Sequence, residues 1–126
     1  MLVPGPVWIR RLLWVAWALF LIVWTFALTT PYPVRASNAT LPEESRFTAS
    51  KALHVVGYAS FSVLSSWLRV PGRWRWGLLV FLSLHACVTE IIQSYVPERH
   101  GQWTDVTLNH FGLYMGVLLG WRWWRA

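Results

Sequence analysis

The sequence predicts an all-α membrane protein of four transmembrane helices, folded as a single domain over residues 1–126. Three observations carry that expectation. Charged residues make up only 13% of the chain, against about 25% in an ordinary soluble domain. Hydrophobic residues reach 56%, with 11 Trp, and they fall in continuous blocks near the roughly 20 residues that cross a bilayer core as a helix. The surplus of basic residues, +6 overall, lies on one side of those blocks. The same composition excludes disorder, which requires low hydrophobicity and few aromatics.

The first block runs over about 12–30 without a charge, after Arg10 and Arg11 and before Pro31–Tyr32–Pro33. It exceeds the 7–15 apolar residues of a signal-peptide core, so it is expected to stay as a helix. It reads as a packing or lipid-facing helix, polar only at Thr25, Thr29 and Thr30. The remaining spans are expected at about 52–68, 76–96 and 105–121, the second and fourth shorter and more polar. Residues 70–75 and 97–104 read as tight turns, and 31–50 as the long loop of the chain. Cys87 has no second cysteine to pair with and reads as a small apolar filler.

Charge placement supplies the orientation. With the N-terminus inside, Arg10, Arg11, Arg69, Arg73, Arg75, Arg122 and Arg125 share one side with no acidic residue. The opposite ends hold Arg35, Arg46, Lys51 and Arg99 together with all five carboxylates. This is a positive-inside pattern, and it predicts that both termini are cytoplasmic. Trp8, Trp74, Trp76, Trp121, Trp123 and Trp124 flank those arginines as an interfacial belt does. The basic surplus is thereby a topology signal, and the bilayer, rather than nucleic acid, is the expected partner.

Polar side chains in a membrane span face the bundle or a cavity, so the exceptions in the spans are informative. Lys51, His54 and Tyr58 follow at i, i+3 and i+7 on one helix face. Glu90 and Gln93 form an i, i+3 pair near the outer end of the third span. Glu90 lies about 9 Å inside that end at the helical rise of about 1.5 Å per residue, where a carboxylate needs a partner. Asp105, Asn109, Gly112 and Gly116 form one stripe on the fourth span; its small members let another helix approach closely. Each residue also has a plainer reading. Lys51 suits an interfacial anchor, His54 a packing histidine, and Asp105 a helix cap with Thr104. Taken together, three polar pairs of both charge signs at one membrane level, with Arg99 in the adjoining turn, look like a site.

The pattern Lys51-x2-His54-x3-Tyr58, Glu90-x2-Gln93, Pro97-x-Arg99, Asp105-x3-Asn109-x2-Gly112-x3-Gly116 closely resembles the VanZ-like family over about residues 47–120. Ser50 stands where the family often has an acidic residue. The resemblance implies a four-helix multi-pass protein of a bacterial cytoplasmic membrane. The family's namesake confers low-level teicoplanin resistance, and most relatives have no assigned reaction.

Two functions compete. In the first, Glu90, Asp105 and His54 carry acid, base and proton-shuttle roles. Lys51, Arg99, Gln93, Asn109 and Tyr58 hold a cell-envelope lipid or lipid-linked precursor, and glycopeptide susceptibility is modulated through it. In the second, the protein is a structural or accessory component whose ion pairs and Gly112/Gly116 stripe only set helix packing. No recognised motif assigns a reaction or a cofactor, and the spacing offers no firm metal-ligand set.

Overall fold

The computed structural model describes residues 6–68 and 70–125. Arg69, grouped above with the cytoplasmic arginines, lies outside the described residues. Among those described, the chain is all helical: α1 (Val7–Thr29), α2 (Tyr32–Thr40), α3 (Glu43–Trp67), α4 (Gly72–Gln93), α5 (Trp103–Leu119) and α6 (Trp121–Trp124). On length and apolar character, α1 and α4 qualify as membrane spans.

Proline sets most of the boundaries. The first four helices begin immediately after Pro6, Pro31, Pro42 and Pro71. A residue preceding proline is pushed out of the helical region; Thr30 and Leu41 are accordingly extended, at φ −125°, ψ 158° and φ −110°, ψ 143°. Glu43 and Glu44 occupy the first turn of α3, where negative charge suits the helix dipole.

Several expected boundaries need correction. The stretch 31–50 is not a loop: it forms α2 and the first two turns of α3. Hydropathy registers apolar content, and the polar opening of α3 has little of it. α2 has no buried residue and therefore no apolar face to signal a helix. The turn over 70–75 is shorter than expected, because α4 starts at Gly72. α5 starts at Trp103 behind Gln102, with no side-chain cap from Thr104 or Asp105. It ends at Gly120, where the short α6 begins.

The most extensive packing is between α3 and α5. Two glycines of α5 allow it. A Cβ on Gly112 would collide with the Val55 carbonyl, and one on Gly116 with the Ala59 carbonyl and, at 2.5 Å, with Ser62 Cβ. Ser62 Oγ then donates to the Leu113 carbonyl at 2.9 Å across the same seam. α1 and α4 complete the bundle around Trp17, Tyr58, Phe61, Leu82, Ala86 and Leu113. Phe61 meets Phe20 at 4.4 Å and, edge-on, Trp17 at 6.2 Å between ring centroids. Burial runs opposite to the usual soluble pattern. Ser62, Ser65, Thr89, Glu90, Gln93, Asp105 and Asn109 are interior, while Leu19, Ile22, Val23, Val80, Leu84 and Ile91 lie exposed on the outer faces of α1 and α4.

Candidate functional site

One end of the bundle gathers the opening of α3, the last turns of α4 and the first turns of α5. The helical repeat places Lys51 and His54 on one face of α3, Glu90 and Gln93 on one face of α4, and Asp105 and Asn109 on one face of α5. His54, Glu90, Gln93, Asp105 and Asn109 are each at least 95% buried.

Lys51 Nζ donates to Asp105 Oδ1 and, at 3.2 Å, to Gln102 Oε1. It also lies 5.2 Å over the Phe47 ring. The Gln102 backbone N–H donates to Glu90 Oε2 at 3.1 Å. His54 Nδ1 pairs with Asn109 Oδ1 at 2.8 Å. The same ring lies between the two carboxylates, with Nε2 3.8 Å from Asp105 Oδ2 and Nδ1 3.9 Å from Glu90 Oε1. Each carboxylate thus has one oxygen held by a donor and the other turned to the imidazole. Glu90 Oε1, Gln93 Nε2 and Asn109 Nδ2 are buried with no hydrogen-bond partner among the described residues. Native proteins satisfy the large majority of buried polar atoms, so three orphans in one cluster mark it as incomplete.

A cavity of about 340 Å³ opens beside this cluster. Lys51, His54, Gln93, Arg99, Gln102 and Asp105 supply polar wall, and Trp24, Leu28, Val34, Phe47 and Leu53 supply apolar wall. Glu90 and Asn109 touch His54 but are not part of that wall.

Two expected site residues sit differently from the rest. Arg99 Nε donates to the Thr30 carbonyl at 2.7 Å and Nη2 to the Ala27 carbonyl. It therefore caps the C-terminus of α1 while its side chain borders the cavity. Burial pushes its guanidinium pKa down from the usual value, and Glu90 works in the opposite direction. Tyr58 faces another network. Its hydroxyl meets His85 Nδ1 at 2.9 Å and Thr89 Oγ1 at 3.4 Å, and His85 Nε2 meets Thr25 Oγ1 at 2.8 Å. Tyr58 does not line the cavity.

Sequence reasoning missed the α2 wall (Val34, Ser37 and Asn38), and with it Arg46, Phe47 and Gln102. Arg46 holds the end of α2 through Leu41 O at 3.0 Å and Asn38 O at 2.8 Å. Arg35 of α2 pairs with Glu98 of the α4–α5 turn at 2.7 Å. That hydrogen bond raises the Arg35 pKa and lowers the Glu98 carboxyl from its usual range. The available signal for Arg46 was its place five residues after the pre-proline Leu41, within reach of the carbonyls at the end of α2.

A family model described as VanZ/LLP1 matches residues 13–125, nearly the whole chain. No curated protein and no solved structure matches it.

Proposed function

The chain belongs to the VanZ/LLP1 family, and from that premise we propose that it is a multi-pass protein of the bacterial cytoplasmic membrane whose cavity binds the polar end of a cell-envelope lipid or lipid-linked precursor at the outer leaflet. The observation that carries this reading is the mixed lining of the cavity, in which Arg46, Lys51, Arg99 and Asp105 stand among aromatic and aliphatic side chains. Its volume of about 340 Å³ falls within the roughly 300–1,000 Å³ of small-molecule sites. Lys51, Arg46 and Arg99 suit the oxygens of a phosphate or carboxylate, and Trp24, Leu28 and Phe47 suit the first part of an acyl or prenyl chain.

Four spans, α1, α3, α4 and α5, are part of the proposal. The exposed apolar faces of α1 and α4 support burial in lipid, since a large apolar surface left in water is costly. α5, at 17 residues, is about 26 Å long at the helical rise, short for a core of about 30 Å. Such a mismatch is met by local thinning or by flanking residues, and Trp103 and Trp121 stand at its two ends. The arginine distribution supports cytoplasmic termini. Glu90, Asp105 and His54 then lie at the outer level, where a carboxylate oxygen beside an imidazole is suited to move a proton on a bound headgroup. Binding of an envelope precursor would be the route to any change in glycopeptide susceptibility.

Lipid identification by native mass spectrometry on purified protein tests the reading. Wild type is expected to carry a phosphate-bearing envelope lipid that Arg46→Ala and Lys51→Ala proteins lose while remaining folded. Equal lipid content in all three would overturn it. If Glu90→Gln and Asp105→Asn alter only abundance and melting temperature, and no lipid is found, the packing role wins; the Lys51–Asp105 pair between α3 and α5 favours that second reading. A C-terminal reporter found outside the cell would overturn the orientation.

A further inference from the structure

We propose that His54, Glu90 and Asp105 form a binding site for one divalent first-row cation of the Zn²⁺ or Mn²⁺ class, at the buried edge of the cavity. The site goes beyond the lipid-binding reading and does not depend on it.

The argument begins with which atoms are already engaged. Asp105 Oδ1 is taken by Lys51, and Glu90 Oε2 by the Gln102 N–H. His54 Nδ1 is taken by Asn109 Oδ1 at 2.8 Å. Each of the three side chains is thus oriented by one bond, and one potential ligand atom from each residue lies within 4.8 Å of the other two. Such an arrangement is how metal sites are built: the histidine donates its other N–H to an oxygen, and the ligating carboxylates are themselves hydrogen-bonded. Asn109 does this for His54, Gln102 for Glu90 and Lys51 for Asp105.

A second observation points to a ligand. Glu90 is 4% exposed, and its Oε1 has no hydrogen-bond partner among the described residues. A buried carboxylate oxygen left without a donor is costly, and a cation between it, the imidazole and Asp105 Oδ2 removes that cost. Two oxygens and one imidazole nitrogen select among metals. The imidazole suits Zn²⁺ or Fe²⁺ and the two carboxylates also suit Mn²⁺, whereas Ca²⁺ and Mg²⁺ take oxygen cages, and no thiolate among the three ligands draws Cu⁺. Three protein ligands leave at least one coordination position open. Two carboxylates set against Lys51 and a divalent ion leave one net positive charge, so the open position would take an anionic oxygen. Two of the three ligands, His54 and Asp105, border the cavity.

The test uses tag-free full-length protein in detergent, stripped with chelator and then titrated with ZnCl₂ or MnCl₂. Wild type is expected to bind one equivalent, with His54→Ala and Glu90→Gln weakening affinity at least tenfold. Asn109→Ala should weaken it by roughly 10–100-fold by releasing the imidazole. A measurement on wild type alone covers the case in which a variant fails to fold: bound Mn²⁺ should show ¹⁴N modulation from one imidazole in pulsed electron paramagnetic resonance. No stoichiometric ion on wild type, a bound ion without the nitrogen signal, or unchanged affinity in folded His54→Ala would each overturn the site. Lipid content measured on stripped and loaded protein separates the two proposals. Lipid retained with no metal bound sinks only the cation site, and metal bound with no lipid sinks only the cavity reading.

Discussion

The bundle holds two buried polar networks, and they are finished to different degrees. In the deeper one, Thr25, Tyr58, His85 and Thr89 link α1, α3 and α4, and both ring nitrogens of His85 are paired. In the other, Lys51, His54, Glu90, Gln93, Asp105 and Asn109 link α3, α4 and α5, and three buried polar atoms have no partner among the described residues. Both networks bring polar groups into an apolar bundle. A closed network is accounted for by the helices it joins. An open one, bordering a cavity, has polar atoms left over that helix packing does not engage. The distinction separates interhelical glue from a site more sharply than residue type does, since each contains a histidine.

Four measurements would break or sharpen this contrast. Gly112→Leu should disrupt both networks at once, because its side chain enters the Val55 carbonyl and drives α3 from α5. A loss of about 3 kcal/mol, the upper end for overpacking, should appear as poor accumulation and a lowered melting temperature. Tyr58→Phe should act on the closed network alone. It leaves His85 Nδ1 without its partner, costs about 1–3 kcal/mol in unfolding, and leaves lipid content unchanged. Glu90→Gln should do the reverse, shifting unfolding by less than about 1 kcal/mol, because the oxygen it alters is already unpaired, while weakening divalent-cation binding in the open network. A larger stability loss than that of Tyr58→Phe would erase the contrast between the networks.

The smallest effect belongs to the exposed Arg35–Glu98 pair. Arg35 depresses the Glu98 carboxyl, so the pair's contribution is present above the ordinary carboxylate range and fades as pH falls through the depressed value. In Arg35→Ala, the melting temperature should therefore lose part of its dependence on acid pH, and high salt should mimic the substitution in wild type.

Much of the site was legible because helical periodicity reports direction. The i, i+3 and i+4 spacings of Lys51/His54, Glu90/Gln93 and Asp105/Asn109 each name one face. The short connections that join α3 to α4 and α4 to α5 leave few ways for the three faces to meet. Tyr58 shows the limit of that signal. It shares the face of His54, yet one turn along the helix a different neighbour, His85, lies opposite, and periodicity carries no information about the neighbour. Gly57 was passed over for the same reason. A Cβ there would strike the Trp24 indole, but a lone glycine has no stripe to announce it. The α2 wall was hidden because hydropathy does not detect a helix that buries nothing. Arg75 and Arg99 read as charges in the sequence, yet the structure uses them as donors to carbonyls: Arg75 Nη1 bonds Trp123 O at 2.8 Å and Trp124 O at 2.9 Å. Net charge counts cannot distinguish a topology marker from a cap.

The prolines before α1, α2, α3 and α4 have a consequence for how the protein meets its surroundings. A boundary set by hydropathy slides when the solvent changes, because it tracks the level at which lipid gives way to water. Steric exclusion at Thr30 and Leu41 belongs to the covalent chain and is indifferent to the medium. The joints on either side of α2 should hold their positions in detergent, in a thin bilayer or in a thick one. The wall that α2 contributes to the cavity is hung between two joints that the covalent chain itself fixes.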